Sequence, residues 1–135
     1  MSLEADIATL LRTNAALTST PIQYASDPQA LAVPKITLQT IQQRIEYSND
    51  GEIGFCTAWV QIDVIAISMS DPAAGAIAIA RQIRTTLSGF VGTAGSTAIL
   101  CAILDNQWEL AGEIEAGREK PAQKVVQSWK ISYRD

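Results

Sequence analysis

At 135 residues the chain is long enough for one domain with a sizeable core and too short for two. Hydrophobic residues make up 47% and charged residues 18%, with a mean hydropathy of +0.11, which excludes a disordered chain. A net charge of −4 and a pI near 4.7 argue against a nucleic-acid grip built on phosphate contacts, and the complete lack of histidine removes histidine-based acid–base catalysis.

Leu3, Ile7, Leu10 and Leu11 fall at helical spacing and form one apolar stripe. Ser2 is placed to cap that helix, with Glu4 and Asp6 in its first turn and Arg12 in its last, matching the helix dipole. Those acids stand where a secretory signal would be basic, so the protein is expected to stay in the compartment where it is made. Thr18 to Val33, with Pro21, Asp27 and Pro28, reads as a loop. Lys35 to Tyr47 reads as a long strand whose two alternating apolar sets are reconciled by a face change or a bulge near Thr40.

Ser48-Asn49-Asp50-Gly51 is a hairpin signal, because these residues tolerate left-handed backbone. On the returning strand Val60, Ile62, Val64 and Ala66 share one face, and Trp59, Gln61, Asp63, Ile65 and Ile67 share the other. Asp71-Pro72 is expected to open a helix with the stripe Ala76, Ile79, Ala80, Ile83, Leu87, and Gly89 to close it. Gly92 to Ser96 is a turn that lacks the lysine of a phosphate loop. Thr97 to Leu104 is strand-like, a polar acidic loop follows, and Val125, Gln127, Trp129, Ile131 and Tyr133 alternate as a final strand. The expected fold is α+β: an antiparallel sheet of about four strands with two helices packed on one face, forming a single domain over residues 1–135.

The apolar runs are interrupted by Gln61, Asp63, Arg81 and Arg84, so no membrane span is expected. Cys56 and Cys101 lack metal-ligand spacing and read as free thiols that pack like small hydrophobes, suited to a reducing cytoplasm. Asp63, the one acid inside a strand core, reads as an exposed position or half of a salt bridge. Trp59, Trp129 and Tyr133 are placed either to anchor an interface or to be partly buried on the mixed face. No catalytic residue, cofactor or metal site is expected, and the chain is not expected to be an enzyme. Between Asp105 and Lys120 the acids Asp105, Glu109, Glu113, Glu115 and Glu119 outnumber Arg118 and Lys120, so most of the net charge sits in this stretch. It reads as a solvated loop or as an acidic surface that repels nucleic acid or meets a basic partner.

Four segments in this order and spacing, MSLEADIATLL, AVPKITLQTI, AWVQIDVIAIS with the following AIAIARQIRTTLSGF, and the terminal VVQSWKISYRD, give the chain its resemblance to a family. It resembles, end to end, the small bacteriophage tail completion (tail terminator) proteins also found in prophages and gene transfer agents. Similar proteins carry an aromatic residue and an Arg before the last strand, where this chain has Lys120-Pro121.

The resemblance implies a structural protein forming a homo-oligomeric ring, commonly sixfold, at the head-proximal end of the tail tube. There it would stop tube polymerisation and enable head–tail joining. The implied partners are further copies of itself, the tail tube protein and a head connector protein, with no specific nucleic acid and no membrane. The implied locations are the host cytoplasm during assembly and the virion tail. The expected contacts are the hairpin tip, Asn49, Asp50, Gly51 and Glu52, toward a neighbouring subunit or the tube, and Glu109, Glu113, Glu115 and Arg118 toward the lumen or connector. The alternatives are a head-closure connector or a small cytoplasmic ligand-binding α+β domain, the latter with acids of shifted pKa in a concave pocket.

Overall fold

The apolar alternation of three long strands and the stripes of two helices organise the fold, whose computed structural model describes residues 3–24, 34–49, 51–72, 75–111 and 123–134. In chain order these are α1 (Leu3–Leu11), a 3-10 turn (Ala15–Leu17), β1 (Ile22–Tyr24), β2 (Lys35–Ser48) and β3 (Gly51–Ala66). There follow α2 (Ala76–Leu87), β4 (Gly92–Ala94), β5 (Thr97–Ala111) and β6 (Gln123–Arg134). One six-stranded sheet runs β1-β2-β3-β6-β5-β4. Every neighbouring pair is antiparallel except β1 with β2, where the Ile36 amide donates to the Pro21 carbonyl at 2.8 Å.

The expected four-stranded antiparallel sheet with helices on one face is therefore corrected. The sheet is six-stranded, mixed, and curled into a half-barrel with two helices. The two unread strands are three residues each, too short for alternation to register. The curl has a geometric signature. Helix α1 contacts both β2 and β4, which lie four strand positions apart in the sheet order. Four spacings of about 4.8 Å would put them roughly 19 Å apart in a flat sheet, whereas a helix with its side chains is about 10 Å across. Only a sheet bent around the helix lets one helix touch both wings.

Register breaks supply the bending. They fall between Thr40 and Gln42 and between Ile45 and Tyr47 in the β2–β3 pairing, and between Ile99 and Cys101 and between Leu104 and Asn106 in the β5–β6 pairing. The first coincides with the face change or bulge expected near Thr40.

The inner face carries the core. Cys56, Ala58, Val60, Ile62, Val64 and Ala66 of β3 point inward and are buried, as are Val125, Gln127, Trp129, Ile131 and Tyr133 of β6. They meet the α2 stripe Ala76, Ile79, Ala80, Ile83, Leu87 and the α1 residues Ile7, Leu10 and Leu11. The small Ala80 lets the helix backbone approach the sheet, so that the fully buried Gln127 reaches it. Its Nε2 donates to the Ala80 carbonyl at 3.0 Å and to Gln107 Oε1 at 3.0 Å, and its Oε1 accepts from Trp129 Nε1 at 3.0 Å. A buried amide is tolerated because each of these groups has a partner.

Helix α1 is fastened at both wings. Glu4 Oε1 accepts the Thr40 amide at 2.8 Å, at the β2 bulge. Asp6, fully buried, accepts from the Ser96 amide at 3.3 Å, from Ser96 Oγ at 3.2 Å and from the Thr97 hydroxyl, all at the β4–β5 turn. The helix-dipole role expected of these two acids is thus joined by a second one, cross-linking α1 to both sides of the sheet. Gly95 makes room for the carboxylate: its φ is +57°, and a Cβ there would sit 2.1 Å from Asp6 Oδ1. Asn14 then ties the chain after α1 to α2, its Nδ2 donating to Gln82 Oε1 at 3.1 Å and Thr86 Oγ1 at 3.0 Å.

Helix α2 begins later than expected. Gly75, not Asp71, is its N-cap, and Asp71 instead accepts the Gly75 amide at 3.1 Å through its carbonyl in the preceding turn. A Cβ at Gly75 would lie 2.6 Å from Asp71 backbone atoms, so this tight turn takes the cap position a side-chain acceptor would otherwise hold. Gly89, at φ +72°, follows the last turn and closes the helix as expected. Arg12 lies one residue beyond α1, and Ser2 lies outside the described residues. Among the described residues no helix is long and apolar enough to cross a membrane.

Burial is the strongest influence on the Asp6 carboxyl and would raise its pKa. The hydrogen bonds from Thr97 and Ser96 outweigh it and hold the group below its ordinary value. A depressed carboxyl contributes stability that is present above the unfolded-state pKa and lost as pH falls through the folded one. Urea midpoints should therefore fall as pH drops below about 4, and Asp6→Ala should flatten that dependence while costing about 1–3 kcal/mol at neutral pH. Gln127→Ala should cost a similar amount, about 1–3 kcal/mol, because it strands the Trp129 indole N–H in the core.

Candidate assembly surface

Alternation places on the outer face whatever the core does not use. On β3 these are Phe55, Thr57, Trp59, Gln61, Asp63 and Ile65, and the registered β6 residues are Arg134, Ser132, Lys130, Ser128, Val126 and Lys124. The pairing makes three cross-strand contacts of opposite character. The Lys130 ammonium lies 5.9 Å from the Trp59 ring centroid, the Arg134 guanidinium 4.7 Å from that of Phe55, and Lys124 Nζ 3.2 Å from Asp63 Oδ2. Asp63 is thus the salt-bridged acid that its position allowed, further held by Gln61 Nε2 at 3.0 Å.

The aromatic trio separates. Trp129 and Tyr133 point into the core, while Trp59 is on the outer face, because it registers opposite Lys130 and not opposite an inward β6 residue. The cysteines are also divided. Cys56 faces Tyr133 on the inner side and is buried, Cys101 faces Ser132 on the outer side and is partly exposed, and both thiols are free.

Beyond β6 the outer face becomes apolar and open. Ile103, Trp108 and Leu110 of β5 are exposed by 53%, 39% and 45%, and Leu100 by 39%. On the opposite wing Ile41, at the β2 bulge, and Ile45, which registers with the inward Cys56, are exposed by 56% and 38%. Among the described residues both wings also end in open strand. β1 covers β2 only at Ile36–Leu38, and β4 covers β5 only at Thr97–Ile99, after which the Gly89 amide reaches the Ala102 carbonyl at 2.9 Å. Among the described residues no strand pairs with the outer side of Gln39–Glu46 or of Ile103–Leu110, and on β2 the Thr40 amide is held by Glu4.

The expected contact residues scatter over this framework. Asn49 closes β2 in the hairpin turn, Gly51 opens β3 at φ +115°, and the Glu52 backbone pairs with Tyr47. Glu109 is exposed on β5 opposite Val125, 20 residues after Gly89 and far from the hairpin tip in the sheet order. Asp105 and Glu109 therefore belong to a strand that continues to Ala111, not to the loop expected after Leu104. Asp50, Glu113, Glu115, Arg118 and the side chain of Glu52 lie outside the described residues. The exposed β5 residues Ile103, Trp108 and Leu110 were missed as surface candidates. Their signal is an apolar residue at spacings of five and two within an otherwise polar stretch, which a bulge at Asp105 turns onto one face.

Two shallow depressions lie on the helix side. One is lined by Arg81, Arg84, Thr85 and Ser88 and the other by Ala15, Ala16, Ser19, Pro72, Ala78, Ile79 and Gln82, and neither is lined by an acid. The shifted carboxyl, Asp6, is buried against Ser96 and Thr97 and serves the fold.

No family model matches the chain, and no curated protein does. Solved structures do. A chain from the virion of a native gene transfer agent particle superposes at TM-score 0.71 with 17% identity, covering 99% of this chain and 96% of its own. This chain has the fold of a gene transfer agent virion component. A second solved chain matches at TM-score 0.56 and 12% identity, covering 99% of this chain and 98% of its own. At these identities the likeness is one of fold, and it extends over the whole of each chain.

The three tryptophans should separate in acrylamide quenching, because Trp129 is sealed in the core while Trp108 and Trp59 lie on the outer face. Trp108→Phe should remove most of the readily quenched emission and shift stability by about 0.5 kcal/mol or less. Trp129→Phe should leave the quenchable part intact and lower stability by about 1–3 kcal/mol, since it also takes the hydrogen bond from Gln127.

Proposed function

We propose that this chain is a structural assembly protein of a phage-like particle, a tail completion or terminator protein. It would form a ring, commonly sixfold in proteins of this kind, at the head-proximal end of the tail tube. The observation that carries the reading is the end-to-end likeness to a gene transfer agent virion component, 99% of one chain against 96% of the other. The surface is suited to it. Two open strand edges with exposed apolar residues beside them call for coverage, and a heterologous contact that closes on itself covers them without leaving an end.

In this reading the ring stops tube polymerisation and presents a face to the head connector. The hairpin tip, Asn49, Asp50, Gly51 and Glu52, meets a neighbouring subunit or the tube, and Glu109, with Glu113, Glu115 and Arg118 farther along the chain, faces the lumen or the connector. Asp105 and Glu109 are exposed acids on β5, and an acidic rim offers DNA no phosphate-neutralising charge, so DNA would pass without being held. The chain acts by contact and not by catalysis.

Loss of the gene should give particles with overlong tails. Normal tails left unattached to heads would instead assign the chain to head closure. The purified protein, measured by light scattering, should have the mass of a ring and bind the ends of tail tubes. A strict monomer at high concentration that ignores tubes would contradict the reading. Reversing charge with Glu109→Lys, Glu113→Lys and Glu115→Lys together should lower the yield of joined particles about tenfold or more without changing tail length. Unchanged joining would remove the acidic stretch from the contact.

A further inference from the structure

The search for a further site leads to the sheet's borders. Among the described residues the shallow depressions are lined by no acid, and Asp6 is fully engaged within the fold. The exposed large hydrophobics, in contrast, are concentrated. Among the described residues only Ile67 and Val91 lie away from the two open stretches. Ile41, Ile45, Ile103, Trp108 and Leu110 lie within them, and Tyr47 and Leu100 lie close beside them. Among the described residues, exposed apolar side chains and edges without a neighbouring strand coincide on the same two strands.

We propose that the open stretch of β2, Gln39–Glu46, pairs antiparallel with the open stretch of β5, Ile103–Leu110, on the next copy of this chain. The proposal rests on the ring reading above and names the contact that would close it. Direction supports it. Along the order β2-β3-β6-β5 every step is antiparallel, so β2 and β5 of one chain run oppositely. A neighbour placed by rotation about an axis parallel to the strands brings its β2 against β5 in antiparallel sense and continues the curl. Such a contact is heterologous, and repeated rotation closes it into a ring.

Length is compatible as well, since β2 continues past Leu38 to Ser48 and β5 past Ala102 to Ala111. The side-chain pattern supports it. Gln42 and Arg44 register with the outer-face residues Trp59 and Thr57 of β3, and Ile103, Asn106 and Trp108 register with Lys130, Ser128 and Val126, also on the outer face. Gln43 and Ile45 register with the inward Ala58 and Cys56, and Gln107 with the inward Gln127. Aligned so that Gln42 meets Trp108, Gln43 meets Gln107 and Arg44 meets Asn106, the outer-face residues stay outside and the inward ones inside. Charge is compatible: in this alignment Arg44 meets Asn106, one residue from Asp105. The present bond of Arg44 to Glu46, 3.2 Å between two exposed side chains, is easily exchanged.

The test uses the full chain carrying Cys101→Ser, with cysteines introduced in pairs: Gln42→Cys with Trp108→Cys, Gln43→Cys with Gln107→Cys, and Arg44→Cys with Asn106→Cys. Directly opposed residues of antiparallel strands are close enough for a disulfide. Oxidation of at least one pair should give a ladder of covalent multimers ending at the ring, while each single substitution gives none. A register-independent arm places charge on the borders. Ile41→Lys with Ile103→Lys should lower the assembled fraction at least tenfold, with the circular dichroism of the folded subunit retained. Ile67→Lys with Val91→Lys, on exposed residues away from the borders, should leave assembly unchanged. A ring of normal mass that yields no ladder and tolerates lysine at positions 41 and 103 would overturn the edge pairing and leave the ring reading standing. A monomer at every concentration would overturn both.

Discussion

One short helix holding both wings of a sheet is the constraint on which the rest of this structure depends. Glu4 and Asp6, two residues apart on α1, accept hydrogen bonds from Thr40 on one wing and from Ser96 and Thr97 on the other. A sheet of six strands has an intrinsic twist but no reason to curl to this degree on its own. The bulges in β2 and β5 make bending possible, and α1 with its buried carboxylate sets where it stops. The alternating strands β3 and β6 and the Ala/Ile stripe of α2 then fill the space enclosed, with Gln127 linking helix backbone, edge strand and Trp129 in one satisfied network.

The same curl determines what is left for function. It spends the inner face on the core and leaves an outer face with paired cations over Trp59 and Phe55, and two borders that, among the described residues, carry no neighbouring strand beyond their first few residues. The concave face is covered by the molecule's own helices. In fold the chain is like a component of a gene transfer agent virion. The assembly role and its partners are our reading of the outer face and its borders.

Much of this fold was legible from residues alone, where a period was long enough to be heard. The α1 and α2 stripes, the β2–β3 hairpin and the division of β3 into Val60, Ile62, Val64, Ala66 inside and Trp59, Gln61, Asp63 outside all follow from spacing. β1 and β4 were not legible, since three residues contain no period and their strand character comes from pairing partners far along the chain. The continuation of β5 past Leu104 was hidden by polar residues: Asp105, Asn106 and Glu109 are loop-like in composition but lie on an open border, where a strand's polar residues stay solvated. The parity of Trp59 against Trp129 required the β3–β6 register, which no single strand reveals. Of the proposed contact residues, Asn49, Gly51 and Glu109 sit on the described surface, but the apolar set Ile41, Ile103, Trp108 and Leu110 emerged only once the bulges and edges were placed.

The central claim is that the borders of this curled sheet are covered by copies of the same chain. Amide hydrogen exchange followed as a function of protein concentration tests it most directly. The account predicts that the amides of 39–46 and 103–110 that point away from β3 and β6, apart from that of Thr40, which Glu4 holds, exchange rapidly in dilute protein and become protected as the protein assembles, while β3 and β6 stay protected throughout. Assembly without any gain of protection in those two stretches, or full protection of them in the isolated subunit, would contradict it.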